Sequence, residues 1–415
     1  MRHIVVVGAG ASGIMAAITA ARNGARVTLI EQKNQIGKKI LATGNGRCNL
    51  TNEQMDVSCF RGENISFIPD VLSKFGYKDT IHFFEKLGVL CKSKQGYIYP
   101  ITDQASTIVD ALQMEINQLP IQILLNETVV DLYKNKQNFF VKTTSKTLRC
   151  DVLILATGGK ATPVLGSDGS GYTVAKQFGH HMTSIVPALV QLKCKEKFFK
   201  QLAGIRMNAK ISIIVNDNEL ANDVGELQLT AYGISGIPVF QVSRYAAKAL
   251  CEKQSVSAVL DYFPTMNNEE FDSFMRKRID MHGSKNAFDF FVGLFQRKFI
   301  SVLLKEAQIS ESAILNQLSV EELNRLFALC KKMKVTITDT NGFENAQVCA
   351  GGVKTSEIDT ITMESLYESN LFITGELLDV DGICGGYNLQ WAWSTGYIAG
   401  INAAKGTENA SNRTT

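Results

Sequence analysis

The sequence predicts an α/β protein in which a strand–helix–strand rhythm is broken by a long insert and later resumes. Three stretches of the 415-residue chain carry that prediction. Residues 4–31 read as a βαβ unit. Residues 191–335 lose the rhythm, and residues 370–404 recover it.

In the first stretch, Ile4-Val5-Val6-Val7 is a short β-branched run, followed by the turn Gly8-Ala9-Gly10-Ala11-Ser12-Gly13. An Ala-rich helix then runs to Arg22, and a second β-branched run, Val27 to Ile30, ends in Glu31. In such a unit Gly8 allows the tight turn, Gly10 lets the backbone approach a pyrophosphate, and Gly13 lets the helix pack closely on the sheet. The helix N-terminus, at Ala11 and Ser12, adds free N–H groups and the positive end of the dipole. Glu31 stands twenty-one residues after Gly10. That spacing suits a carboxylate that accepts from ribose hydroxyls and disfavours a 2′-phosphate. The expectation is a Rossmann-type dinucleotide site, with Gln32 beside Glu31 in the candidate set.

Bulk properties narrow the function classes. Hydrophobic content of 45% and charged content of 20% are those of a globular chain, long enough for about two to three domains. A net charge of +3 gives no reason to expect a nucleic-acid or membrane-surface partner. Nine cysteines without CxxC or metal-ligand spacing read as reduced thiols, so no metal is expected. Neither a targeting segment nor a membrane-spanning run is recognisable, which gives a cytoplasmic expectation.

After Glu31, residues 37–52 hold too many Gly and Asn residues for a long regular element and read as a loop beside the bound dinucleotide. Its Lys38, Lys39 and Arg47 are placed to meet phosphate or substrate charge. Helices are expected over 67–88, with a break at Gly76, and over 104–118. A small antiparallel sheet is expected over 121–150, with the strand edge at Val129 near the adenine. Asp151 to Ala156 reads as a buried parallel strand ending in Thr157-Gly158-Gly159, where bare backbone can meet a ligand. Gly166 to Gly171 opens a helix ending near Gly179, with no strand running directly into it to make a second fingerprint. His180 and His181 then read as a polar helix end, not a metal site.

Within the insert, Leu189 to Cys194, Lys210 to Val215 and Glu226 to Thr230 read as strands, and Asn216-Asp217-Asn218 as a hairpin turn. Residues 267–332 read as helical, with capping boxes at Asn267 and Ser319. Asn370 to Thr374 is the next buried strand. It meets Gly375-Glu376, then Asp379, Asp381, Gly385-Gly386 and a helix from about Asn388 to Ala404. The expected division is 1–190 and 336–404 for the dinucleotide-binding domain, 191–265 and 266–335 for the β and helical inserts, and a disordered tail over 405–415.

With these segments in place, the chain resembles the BaiN-like (YhiN-like) family of FAD-dependent oxidoreductases, also called the aminoacetone oxidase family. The matching stretches are Gly8 to Gly13, Gly37 to Asn52, Leu155 to Gly171, Gly351-Gly352-Val353 and Gly375 to Gly400. The resemblance implies a two-dinucleotide-binding-type FAD domain interrupted by a β-barrel-like and a helical part. It implies FAD contacts at Glu31 (ribose), Val129 (adenine) and Glu376 (ribityl or diphosphate). It also implies contacts with the isoalloxazine from Arg47, Cys48, Asn49, Asn388 and Leu389. Thr43, Gly44, Gly46, Thr157, Gly158, Gly159, Gly375, Asp381 and Gly386 complete the expected cofactor set. This chain departs from the pattern at Thr230-Ala231 and Ser235-Gly236-Ile237, where relatives carry Thr-His and Ser-Gly-Pro.

Three readings of the activity follow. The first is a flavoenzyme that moves a hydride or electron pair from NAD(P)H, as a transient reductant, to the C=C bond of a 3-oxo steroid or bile-acid-like enone. The second is a flavin amine oxidase using O2 on an aminoacetone-like substrate, and the third a non-catalytic redox sensor. A disulfide reductase would need a cysteine pair beside the flavin, and Cys48 has no partner before Cys59. No catalytic acid or base stands out; Arg47, Asn49 and Tyr232 are the candidate catalytic residues, Tyr232 through a contact with the substrate.

Overall fold

The structure is a computed structural model and describes residues 1–405. The tail expected to be disordered therefore lies, beyond Lys405, outside the described residues. The chain divides into two units: residues 1–185 together with 348 onward, and Val186–Gln347.

The first unit is built from β1 (His3–Val7), α1 (Ala11–Arg22), β2 (Arg26–Ile30), α2 (Lys38–Ala42), β3 (Ile121–Leu124), β4 (Val152–Leu155), α3 (Ser170–Gln177), β5 (Leu371–Ile373) and α4 (Tyr387–Lys405). Its sheet is parallel, in the order β5-β4-β1-β2-β3. Strands covered on both faces lose all contact with water, which is why β1 and β4 read as unbroken apolar runs. Ile121 to Leu124 departs from expectation. It is the parallel edge strand beside β2, in register from Val27↔Ile121, and not part of the antiparallel sheet. The Val27 N–H donates to Pro120 O at 3.1 Å, which docks the segment on β2 before its alternation can matter. The antiparallel sheet begins at Val129 and comprises Val129–Asn135, Asn138–Thr143 and Thr147–Cys150.

His180 and His181 end the α3 segment as expected, and both share one carboxylate 176 residues or more away. His180 Nδ1 lies 3.2 Å from Glu357 Oε2, and His181 Nδ1 lies 2.7 Å from Oε1. The His181 backbone N–H also donates to Oε2 at 2.9 Å, and His180 Nε2 meets Ser365 Oγ at 2.8 Å. Among the described residues, no group of three or more His, Cys, Asp or Glu could hold a metal ion.

The second unit is a closed six-stranded barrel with helices on the same core. The hydrogen-bonded order is Leu192–Cys194, Gly233–Ser235, Asn218–Thr230, Arg206–Val215, Val256–Asp261 and Met333–Thr340, with the last strand returning to the first. Both expected capping boxes are present, at Asn267 and Ser319. Ile211 and Leu260 from the barrel share one buried cluster with Phe271, Phe299 and Leu326 from the helices, so the β and helical parts pack as one body. Met333–Thr340 belongs to this barrel, although residues from 336 onward read in the sequence as the return to the first unit. No described helix is long and apolar enough to cross a membrane.

The shared carboxylate gives a pH dependence. Burial pushes Glu357 up, but hydrogen bonds from the His181 N–H and from both rings outweigh it and hold the carboxyl below its ordinary value. Burial of His180 likewise holds that ring below its ordinary 6.5, against the pull of Glu357. Both groups bind protons more weakly folded than unfolded, so their contribution is present above their ordinary values and lost as pH falls, His180 first below 6.5. Urea unfolding should show stability declining from pH 7 toward 5. Glu357→Gln should cost about 1–3 kcal/mol at pH 7 and steepen that decline, because the His180 ring loses the carboxylate that favours its charged form.

Candidate cofactor site

The three glycines of the first turn are needed for different reasons. Gly8 has φ +102, and a Cβ there would lie 2.4 Å from Ala156 O; a Cβ at Gly13 would lie 1.9 Å from Gly8 O. Packing of the chain on itself therefore demands both. Around Gly10 a Cβ would meet nothing within 4 Å. Gly10 is also the N-cap of the twelve-residue α1 and offers no side-chain cap. Open space thus lies directly before unpaired helix N–H groups, and the protein's own packing does not require it.

Glu31 closes one side of this space. Its Oε2 accepts from the Ala9 N–H at 2.9 Å and its Oε1 from the Lys33 N–H at 2.8 Å. Burial pushes this carboxyl above its ordinary value, and those N–H bonds only partly offset the effect. Gln32 Nε2 donates to Gly166 O at 2.6 Å, and the Glu127 N–H donates to Glu31 O at 3.0 Å. These bonds bring the Gly166 turn and the segment leading into Val129 to the end of β2.

The loop after β2 closes another side. The Gly37 N–H donates to Ala9 O at 2.8 Å, which anchors the start of α2 on the glycine turn. From α2, Lys39 Nζ reaches Glu376 Oε2 at 2.7 Å, while Glu376 Oε1 accepts from the Cys349 N–H at 2.8 Å. Lys38, on the same helix, is half-buried. A Cβ at Gly375 would stand 2.5 Å from Ser12 Oγ, so the last βα motif is pressed onto the first. Gly171 meets the Thr157 side chain in the same way, at 1.9 Å from Oγ1, and Gly158 has φ +71.

Beyond α2 the backbone turns left-handed at Gly44, Asn45, Gly46 and Cys48, with φ between 54° and 81°. Thr43 Oγ1 donates to Ile40 O at 2.6 Å to start this turn. The run pushes Arg47 outward and buries Cys48 and Asn49. Arg47 Nε donates to Gly44 O at 3.3 Å, and its guanidinium stands 5.4 Å from the centre of the Tyr99 ring. At the start of α4, a Cβ on Gly386 would lie 2.7 Å from Thr51 O and 3.0 Å from Asn49 Oδ1. Asn388 spends its amide on Gly382, accepting from the N–H at 2.8 Å and donating to the carbonyl at 2.9 Å. Leu389 is half-buried and Asp381 buried. Tyr232 belongs to the other unit. It lies between Asn218–Thr230 and Gly233–Ser235, 38% exposed, and its carbonyl takes the Cys194 N–H.

The HI0933-like protein Rossmann domain, as a family, matches residues 2–402. The chain belongs to that family. The chain is 48% identical over 407 residues to a 3-dehydro-bile acid delta(4,6)-reductase of Clostridium scindens, covering 98% of this chain and all of that protein. It is 30% identical over 408 residues to a ribosomal RNA dihydrouridine synthase of Haemophilus influenzae, covering 97% and 98%. Among solved structures, a 3-ketosteroid delta1-dehydrogenase of Sterolibacterium denitrificans has a TM-score of 0.52 at 11% identity, covering 98% of this chain and all of that one. That likeness concerns the fold. The match over both halves agrees with the expected Rossmann fold, and the HI0933-like chain joins its two glycine motifs around α1.

The site also contains two residues with no local sequence signal, Tyr172 and Cys349, which only the fold brings beside Gly159. Neither Cys48 nor Cys349 is built for thiol exchange. Burial pushes both thiols up to about 12. Alkylation of the folded protein at pH 8, followed by mass spectrometry, should label the exposed Cys251 and spare Cys48, Cys349 and Cys150 until unfolding. Fast labelling of Cys48 would revive a dithiol mechanism.

Proposed function

We propose that this protein is an FAD-dependent oxidoreductase that reduces a carbon–carbon double bond conjugated to a carbonyl in a small steroid-like enone, with NAD(P)H as the reductant. The observation that carries the cofactor is the open space at Gly10, before an uncapped helix N-terminus and beside the Glu31 carboxylate. A diphosphate fills such a space and gains N–H donors, while Glu31 retains lone pairs for ribose hydroxyls. Lys38 and Lys39 supply cationic charge next to it, with Ala11, Ser12 and Gly13 forming the floor.

The remaining cofactor contacts follow from the placement of the other motifs. Gln32 and Val129 border the adenosine end. Thr157, Gly158, Gly159, Gly375 and Glu376 border the middle, and Thr43 to Asn49, Asp381, Gly386, Asn388 and Leu389 border the ring end. When bound, the flavin carries the hydride chemistry. The protein's part is to orient the enone, exclude water and stabilise the carbonyl oxygen as negative charge develops on it. Arg47 suits that last role, because its guanidinium is held by Gly44 O and Tyr99 yet stays exposed and always charged.

The steroid-like substrate rests on 48% identity to the bile acid reductase along the whole chain. A second reading has support in the ribosomal RNA dihydrouridine synthases, whose names also describe adding hydrogen across a C=C bond. The small net charge of +3 favours the small-molecule reading, since RNA binding draws on clustered Lys and Arg.

The test is anaerobic reduction by NADH and by NADPH, followed by presentation of 3-oxo-Δ4 and Δ4,6 steroids, ribosomal RNA, and aminoacetone with O2. Multiple turnovers with the steroid enones are expected, and Arg47→Met should lower kcat about 10²-fold while FAD stays bound. Turnover with RNA or the amine alone would contradict the proposal.

A further inference from the structure

Glu376, half-buried, borders a small cluster with the buried Gly159, Tyr172 and Cys349. A Cβ at Gly159 would stand 3.0 Å from Glu376 Oε1, 3.0 Å from the Tyr172 hydroxyl and 3.1 Å from Cys349 Sγ. Because residue 159 has no side chain, the phenol and the carboxylate face each other across that gap. Glu376 Oε1 takes only the Cys349 N–H, and Oε2 is held by Lys39. The Tyr172 hydroxyl is buried and finds no oxygen or nitrogen acceptor, only the Cys349 thiol beside it. Burial, then the neighbouring Cys349 and Glu376, push its ionisation well above the ordinary value, so it remains a protonated donor. The thiol beside it is a weak acceptor and already takes the Lys160 N–H at 3.0 Å.

A buried hydroxyl with only a weak sulfur acceptor is costly to keep, which calls for a state in which it has a better one. Lys39 indicates which state that is. It sits on α2, whose first residues are anchored to Ala9 O, and so stands beside the open space at Gly10. An anion entering that space competes with Glu376 for the Lys39 ammonium, a compact charge on a flexible stem. Glu376 then needs a new donor, or it becomes a half-buried carboxylate that has lost its cation.

We propose that Tyr172 is a positioning residue that replaces Lys39 as the donor to Glu376 when a dinucleotide diphosphate recruits Lys39. This rests on the dinucleotide reading of the Gly10 turn. In the ligand-free protein Lys39 holds Glu376 and the phenol is idle. In the loaded protein Lys39 faces the diphosphate, and the phenol holds Glu376 in place. A purely structural tyrosine would instead support both states equally.

The test compares Tyr172→Phe with wild type in two readouts, the melting temperature of the FAD-free protein and the FAD dissociation constant by fluorescence quenching. Tyr172→Phe should not lower the melting temperature of the FAD-free protein, and it should weaken FAD binding about tenfold. In a Lys39→Met background the hydroxyl is already engaged with Glu376, so there the same substitution should lower the FAD-free melting temperature. Unchanged FAD affinity in Tyr172→Phe overturns the proposal. So does an equal loss of FAD-free melting temperature in both backgrounds. Wild-type protein that binds no FAD contradicts the cofactor reading and the exchange with it, whereas tight FAD binding without the Tyr172 effect removes the exchange alone.

Discussion

Close approach of the N-terminal half of α1 to its neighbours is the constraint on which the first unit depends. At Gly13 and Gly8 the turn folds back on itself and on Ala156, with no room for a methyl group. On the helix's other side, a Cβ at Gly396 would lie 2.3 Å from Ser12 O and one at Gly400 2.6 Å from Ala16 O. Backbone therefore packs on backbone along α1 and α4. Interiors packed at crystal density cannot absorb an added carbon at such points without shifting a main chain.

That approach is what assembles the site. With α4 pressed onto α1, Gly375 comes against Ser12, and Glu376 comes within reach of Lys39 from the opposite end of the sequence. With Gly171 packed on Thr157, the end of β4 is held open at Gly158 and Gly159, where Tyr172 and Cys349 converge. Within this tightly fitted frame the chain leaves room at Gly10, in front of a helix N-terminus without a side-chain cap. Fold and function separate here: Gly8, Gly13 and Gly396 satisfy packing, whereas Gly10 makes sense only for something that is not the chain.

Much of this was legible in the sequence, and what was not has physical causes. β1, α1 and β2 could be read because their signals are local: β-branched runs, a glycine turn and an acidic terminus within about thirty residues. The caps at Asn267 and Ser319 were legible for the same reason. The parallel edge strand Ile121–Leu124 was not, because four residues of mixed burial carry no sign of which partner they will meet. The closure of the barrel by Met333–Thr340 was hidden because it depends on pairing with Val256–Asp261 and Leu192–Cys194, both far away in sequence. Of the candidate site, the glycine turn, Glu31 and Lys39 could be foreseen. Tyr172, Cys349 and the carboxylate shared by His180 and His181 could not, since no spacing announces contacts such as His181 with Glu357, 176 residues apart.

The central claim is that the space at Gly10 exists for a diphosphate, and one paired measurement tests it most directly. Gly10 has φ −81, a conformation open to alanine, and a Cβ there touches nothing. Gly10→Ala should therefore keep the wild-type melting temperature without FAD and lose at least about 10²-fold in FAD affinity, since the new methyl occupies the position of the anion. Gly13→Ala, in contrast, should lower the melting temperature itself. A Gly10→Ala protein that binds FAD as tightly as wild type would contradict the account.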